Sequence, residues 1–176
     1  MLSLPKPQHY TANVAAKAKL TDNIWVVTFA LEHPSQLQFI AGQTMMIHVA
    51  DNINRSMSIA SSPRDSRRLL MVHDISPMGP GSRWTLGLSV GDAVSLVAPL
   101  GIFILDTTST RKKVMIATGT GIAPFRSMLY DYLESGGTED VTLCWGLRHE
   151  RDVYWHDEFI ALSKNYPNFH YIITLS

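Results

Sequence analysis

Cysteine is nearly absent from this 176-residue chain, in which Cys144 is the only one. A single thiol cannot form an intramolecular disulfide, and it cannot hold an iron–sulfur cluster, which takes about four thiolates. Because Cys144 sits in the apolar run 141–145, we expect it to be a buried small hydrophobe. The seven histidines are scattered, without the helical spacing of a metal site. The sequence therefore indicates neither a disulfide framework nor a metal centre.

Long hydrophobic runs and an excess of one charge are also lacking. The longest mostly apolar stretch, 94–105, is broken by Pro99 and Gly101, and it falls short of the roughly 18 residues that suggest a membrane span. Residues 1–10 carry two prolines and no apolar core of a signal peptide, so we expect a cytoplasmic location. Fifteen basic residues balance fifteen acidic ones, which gives no indication of nucleic acid or an anionic membrane as partner.

Short β-like runs fill the chain up to about residue 108. They are rich in β-branched and aromatic residues and are separated by turn residues such as Gly42 and Gly91. Six strands with one short helical insert predict a closed antiparallel Greek-key β-barrel, because closure removes exposed edges. The predicted strands cover 14–20, 24–31, 44–49, 56–60, 69–75 and 93–97.

From residue 109 onward, strands alternate with helices. This order implies parallel pairing with right-handed crossovers. A complete doubly wound domain has two such halves, and one is present here. We therefore predict two domains, a barrel at 1–108 and the N-terminal half of a nucleotide-binding α/β domain at 109–176. The predicted strands are 114–117, 141–145 and 169–175, and the predicted helices are 124–133 and 154–164.

The segment Arg55-Ser56-Met57-Ser58 follows a polar turn. Side chains of a strand alternate between its faces, so Arg55 and Met57 share one face and the two serines share the other. A flavin nucleotide needs a guanidinium for its phosphates, a side chain against its ring and small hydrogen-bonding groups at the ring edge. These four residues can supply all three, although an ordinary solvated strand end is the alternative.

Glycines precede a predicted short helix in the segment 79–84. Glycine lets the backbone approach a ligand, and the free amides at a helix start bind anions. Ser82 is placed to cap the helix and to meet a phosphate oxygen. A plain helix start is the alternative, but a pyrophosphate held by Arg55 would make the same use of these amides.

A strand, a glycine-rich turn and a helix follow one another within 116–126. A dinucleotide-phosphate loop requires this context, although the third glycine of the usual fingerprint is missing. Pro124 falls in the first turn of the helix, where proline is favoured. The arrangement favours nucleotide binding at Gly119, Thr120 and Gly121 over a simple tight turn.

In this order, the segments resemble the ferredoxin–NADP reductase superfamily, particularly the bacterial flavin-dependent reductases that serve oxygenases or reduce free flavins. Arg55-Ser56-Met57-Ser58 is similar to its Arg-x-Tyr-Ser motif, and Gly81-Ser82 to its phosphate-binding turn. Three further segments resemble family motifs at family spacing: 98–103, 119–124, and Trp145-Gly146-Leu147-Arg148 followed by Asp152, Tyr154 and Glu158.

The resemblance implies FAD as cofactor, with FMN as the alternative, and NAD(P)H as co-substrate. Electrons would pass to an iron–sulfur, haem or oxygenase partner, or to a free flavin. It implies Ser58, near the flavin nitrogen N5, and Thr120, where flavin and nicotinamide meet, as catalytic candidates. Arg55 and Ser82 would hold the flavin phosphate, while Val72 and His73 would line the nucleotide. The implied binding set is completed by Ser56, Met57, Gly81, Gly119, Gly121 and Pro124.

Two departures from the family pattern leave alternatives open. Met57 replaces the usual aromatic residue, so we expect weaker flavin affinity and a shifted potential. The family's second half-domain is not in this sequence, which leaves NADH against NADPH undecided. One alternative is a reductase that holds its flavin as a loose substrate. Another is a non-catalytic flavin-binding or interaction module, or a fragment without a complete NAD(P) site, in which the 114–117 strand or a neighbouring one would offer an unpaired edge.

Overall fold

The computed structural model describes residues 4–176, which form an antiparallel sheet followed by a parallel one. The antiparallel sheet contains β1 (Gln8–Lys19), β2 (Ile24–His33), β3 (Thr44–Ala50), β4 (Ile53–Ser58), β5 (Arg68–Asp74) and β6 (Ala93–Leu100), with helix α1 (Pro80–Gly87) between β5 and β6. The parallel sheet contains β7 (Lys113–Thr118), β8 (Val141–Leu147) and β9 (Phe169–Leu175), which alternate with helices α2 (Ile122–Glu134) and α3 (His156–Asn165).

The antiparallel sheet has the strand order β4-β3-β6-β1-β2-β5. This confirms the antiparallel fold, but the sheet is curled rather than fully closed. Within the described residues, β4 and β5 share no ladder, and just beyond β4 the chain bonds β5 where Ala60 N donates to Leu70 O at 2.8 Å and Leu70 N donates to Oγ of Ser61 at 3.2 Å. The carbonyls of Ala60 and Ser61 accept hydrogen bonds from α2 instead. The opening between β4 and β5 is the place where α1 packs.

Most strands differ from their predicted bounds by a few residues, and the largest differences are in β1 and β4. β1 begins at Gln8 rather than at residue 14, because its first residues pair with β6 through contacts such as Gln8 with Ala98. β4 covers Ile53–Ser58 rather than 56–60, since Ile59 and Ala60 turn into the protein interior. Both shifts come from tertiary pairing that local sequence patterns do not record.

Two hydrophobic clusters stabilise the molecule. One fills the inside of the antiparallel sheet with residues such as Phe29, Met45 and Leu96. The other packs α2 and α3 against one face of the parallel sheet, and it also contains Ile24 of β2, Val72 of β5, and Ala41 and Ala60 from connections of the antiparallel sheet. Because burying a valine or isoleucine side chain contributes about 1.5–3 kcal/mol, Ile24 and Val72 in this shared cluster help to hold the two sheets together.

The other face of the parallel sheet is largely uncovered in the described part of the chain. Val114 and Ile116 on β7 are 65% and 72% exposed, and Ile172 on β9 is 48% exposed. Cys144 lies half-buried on this face, so the prediction of a buried thiol is wrong. The reason is strand alternation, because Leu143 and Trp145 take the covered face. None of the helices within residues 4–176 has the length and apolar character needed to cross a membrane.

Candidate functional site

Arg55 on β4, His73 on β5 and Gly81 on α1 lie together at the opening of the antiparallel sheet. A β-carbon placed on Gly81 would be 3.3 Å from Cε1 of His73 and 3.4 Å from Cγ of Arg55. Glycine therefore leaves a small space between an arginine stem and an imidazole, which we call the Gly81 cleft. Three of the predicted site residues thus come from three separate elements and meet at one point.

The first turn of α1 forms one wall of the Gly81 cleft. The helix has Gly79 as N-cap and Pro80 at its first position. The amides of Gly81 and Ser82 lie in this turn, where no carbonyl one turn earlier can accept their protons. Ser82 was predicted to cap the helix, but this is wrong, because the helix begins two residues earlier and buries Ser82 within it, 3% exposed. Free amides, the helix dipole and Arg55 together suit an anion.

His73 enters the Gly81 cleft in a fixed orientation. Its Nδ1 lies 2.8 Å from Oγ1 of Thr85, a residue of α1 that is fully buried. Burial lowers the pKa of His73 below its usual value, and the carboxylate of Asp74 opposes this shift. Burial therefore favours the neutral form of the ring, and its other nitrogen, Nε2, faces Gly81.

Not all the predicted flavin residues join this cleft. Val72, next to His73 on β5, points to the opposite face and packs in the cluster shared by the two sheets. Ser56 is exposed, and Ser58 is half-buried opposite Thr44 of β3. Met57 lies on the same strand face as Arg55, where it packs against the core of the antiparallel sheet and stays half-buried.

A second site opens at the carboxyl ends of β7 and β8. Here a cavity of about 800 Å³ is lined by residues of both sheets, including Gly119 and Thr120 after β7, Arg148 after β8, and Asp74 and Ile24 of the antiparallel sheet. Ligands of open α/β sheets bind at this end of parallel strands, and the volume falls within the roughly 300–1,000 Å³ typical of small-molecule sites. Among the described residues, the lining does not include Gly121, which is exposed, or Pro124, which is buried in α2.

Two aromatic side chains hold the glycine-rich turn in place, and both were missed as positioning residues by the sequence analysis. Trp145 Nε1 donates to the carbonyl of Gly119 at 2.9 Å, and the hydroxyl of Tyr154 donates to the same oxygen at 3.3 Å. Burial raises the pKa of Tyr154, so its hydroxyl stays a donor. Gly119 has φ +50°, a conformation that favours glycine. These two hydrogen bonds therefore fix the turn that carries Thr120.

The residues of both sites fit nucleotides. The Gly81 cleft brings the stem of Arg55 beside the first turn of α1, and a guanidinium together with helix-start amides is the donor set for a pyrophosphate. The cavity places the basic side chains of Arg148 and Arg151 near the turn that carries Thr120. At the end of β5, Asp74 lines the cavity and its neighbour His73 lines the Gly81 cleft. The two candidate nucleotide sites therefore lie beside each other.

Two family models match the chain in order. A model described as an oxidoreductase FAD-binding domain matches residues 11–104, which contain the Gly81 cleft. A model described as an oxidoreductase NAD-binding domain matches residues 115–176, which contribute most of the cavity lining.

Relatives of known identity agree with these matches. The chain is 31% identical to ferredoxin–NADP reductase B of Sorangium cellulosum, over 95% of this chain and 70% of that protein. It is 29% identical to reductase component 1 of terephthalate 1,2-dioxygenase of Comamonas sp, over 96% of this chain and 50% of the relative. The chain thus spans about half the length of several curated relatives.

Solved structures share the fold. The Amycolatopsis cytochrome P450 reductase GcoB superposes with a TM-score of 0.90 at 26% identity, over 99% of this chain and 54% of that one. The ferredoxin–NADP⁺ reductase of Plasmodium falciparum superposes with a TM-score of 0.82 at 23% identity, over 94% and 70% of the two chains. With both family models, the fold and these relatives in agreement, the chain belongs to the ferredoxin–NADP reductase superfamily and carries its FAD-binding and NAD-binding domains.

Proposed function

We propose that this chain is the reductase part of an NAD(P)H-dependent electron-transfer system. The single observation that supports this is the meeting of Arg55 and the first turn of α1 in the Gly81 cleft, beside a cavity that both sheets line. We place the division between the two domains near residue 108, within the connection from β6 to β7. A cytoplasmic location is proposed because the lone Cys144 fits a reducing compartment.

The residues of the chain would bind and orient the two nucleotides. FAD, when bound, supplies the chemistry that turns a hydride from NAD(P)H into electrons for an acceptor. Arg55 and the amides of Gly81 and Ser82 would hold its phosphates, and Met57 would lie against its ring. Ser58 would donate a hydrogen bond at the ring edge. Thr120, on the turn held by Trp145, would orient the nicotinamide.

The acceptor is proposed to be a protein. Relatives are named as reductase components of a dioxygenase system or as ferredoxin–NADP reductase, which points to an oxygenase, iron–sulfur or haem partner. A non-catalytic flavin-binding or interaction module is the second candidate. The observation that favours it is the uncovered face of the parallel sheet, where Val114 and Ile116 are exposed, because an exposed apolar patch is typical of a surface that contacts another protein.

The test begins with the visible absorbance of the purified chain and mass identification of any released nucleotide. Stopped-flow mixing with NADH and, separately, with NADPH then follows bleaching of the flavin. Bleaching by either nucleotide supports the reductase function. A chain that binds FAD but is bleached by neither supports the module instead, and a chain that binds no flavin after titration with FAD and FMN contradicts both.

A further inference from the structure

Arg126 on α2 connects three parts of the molecule through one guanidinium. Its Nη1 donates to the carbonyl of Ala60 at 2.7 Å, and its Nε donates to Oε1 of Glu158 on α3 at 2.7 Å. The guanidinium carbon lies 4.8 Å from the ring centre of Tyr130 and 5.0 Å from that of Trp155. Its position is thus set by two hydrogen bonds and two aromatic faces.

The next residue, Ser127, makes a parallel contact. It is fully buried, and its hydroxyl donates to the carbonyl of Ser61 at 2.6 Å. Consecutive residues of α2 therefore bond consecutive carbonyls of the segment that follows β4. The ion pair of Arg126 with Glu158 is itself largely buried, with side chains 17% and 26% exposed, so removing one partner leaves a poorly solvated charge.

These bonds join the two places at which the catalytic candidates lie. Ala60 comes two residues after Ser58 along the chain, and α2 begins directly after the turn that carries Thr120. The packing beside them is tight, because a β-carbon on Gly42 would collide with Cε of Met128 and with the backbone oxygen of Phe103. This packing fixes α2 against the antiparallel sheet near Gly42, and the two hydrogen bonds keep the end of β4 and the start of α2 together.

We propose that Arg126 and Ser127 are positioning residues that set the separation between Ser58 and Thr120. This inference rests on the proposed function, because Ser58 faces the flavin and Thr120 the nicotinamide only in that function. Neither residue needs to touch a nucleotide. Their effect is geometric, and a misplacement of about 1 Å between reacting groups can cost roughly 100-fold in rate.

Arginine suits this role because its planar fork donates in two directions while it stacks on aromatic rings. Lysine keeps the charge but cannot make the bonds to Ala60 and Glu158 with the same geometry.

We therefore choose Ser127→Ala, which removes one bond, and Arg126→Lys, which keeps the charge. Arg126→Met combined with Glu158→Gln removes both bonds without leaving an unpaired carboxylate. The control is Arg64→Met, because Arg64 also joins the segment after β4 to α2, through Ser135 and Glu134, but at the exposed surface.

The first measurement is stopped-flow reduction of the FAD-loaded full chain over a range of NADH and NADPH concentrations. We expect the limiting rate constant to fall about tenfold or more in each of the three variants, in view of the sensitivity to misplacement. The FAD dissociation constant and the flavin midpoint potential should stay at their wild-type values. Arg64→Met should change the rate constant less than about twofold, because exposed ion pairs contribute little.

The second measurement needs no nucleotide. Hydrogen–deuterium exchange of the flavin-free chain should become faster at residues 58–62 and 119–124 in the three variants and stay unchanged in Arg64→Met. Faster exchange with an unaltered limiting rate constant overturns the positioning role while the proposed function stands. Unaltered exchange overturns the claim that the hydrogen bonds of Arg126 and Ser127 hold the end of β4 to the start of α2. If the wild-type chain binds FAD but is not reduced, the proposed function is overturned, and so is the proposed effect of Arg126 and Ser127 on the reaction. The exchange result then decides only whether these two residues hold the end of β4 to the start of α2.

Discussion

The backbone of Gly81 lies against the imidazole of His73, so close that a β-carbon on the glycine would be 3.3 Å from Cε1 of the ring. The same β-carbon would be 3.4 Å from Cγ of Arg55. Bare backbone between two nitrogen-bearing side chains lets a phosphate approach the helix amides directly. The first predictions follow from this contact.

Replacing Gly81 with alanine should weaken FAD binding while leaving the fold intact. The added methyl group fits only if Arg55 and His73 give way by a few tenths of an ångström, which would displace the arginine that we propose to hold the phosphate. We expect a loss of FAD affinity of about tenfold or more, measured by fluorescence titration. Gly87→Ala is the matched control, since a β-carbon at that end of α1 meets no atom within 4 Å. Equal affinities for the two variants would contradict the assignment.

Replacing Arg55 with methionine should lower FAD affinity by about 10- to 100-fold, because a hydrogen bond to a charged group contributes roughly 1.5–3 kcal/mol. Arg55 is exposed and pairs with the carbonyl of Asn54, so the fold should tolerate the change. Arg67→Met, at an exposed turn position away from α1, should bind FAD like the wild type. Unchanged affinity in Arg55→Met would remove the arginine from the site.

Replacing Met57 with tyrosine should tighten FAD binding and shift the flavin midpoint potential. A phenol ring stacks on the flavin more extensively than a thioether, and part of the Met57 side chain is free of the core. Equilibrium dialysis and a spectroscopic redox titration measure the two effects. An affinity equal to that of the wild type would count against contact between Met57 and the ring.

Replacing His73 with asparagine should remove part of the acid sensitivity of the flavin-free protein. The pKa of His73 is lowered from 6.5 in the folded state by burial. The unfolded chain therefore takes up a proton that the folded chain does not, and the free energy of unfolding falls as the pH drops below about 6.5 until the folded imidazole is also protonated. Urea denaturation at about pH 7.5 and about pH 5.5 should show a smaller pH difference for the variant than for the wild type. His9→Asn, at an exposed position, should behave like the wild type.

Most elements of the fold could be predicted because their patterns are local. The runs of β-branched residues located the strands, and the glycine-rich turn before Ile122 located α2. The exceptions have long-range causes. No ladder joins β4 to β5, and the carbonyls of Ala60 and Ser61 accept hydrogen bonds from residues of α2 that lie 66 positions away along the chain.

The residues of the candidate sites were likewise predictable only where the sequence pattern is local. The motif around Arg55 and the glycines of α1 were recognisable in the sequence, and the structure brings Arg55 and Gly81 together. The opposite orientations of Val72 and His73 follow from strand alternation and could have been foreseen. The roles of Trp145 and Arg126 could not, because they depend on which carbonyl each nitrogen meets after folding.

The half-buried Cys144 provides a natural labelling site on one face of the parallel sheet. This thiol lies on the uncovered face of the parallel sheet that also carries Val114 and Ile116, and no second cysteine competes for a reagent. A maleimide dye would thus mark one known place without mutagenesis. The speed of its attachment, followed with and without a candidate redox protein, would report occlusion of that face directly.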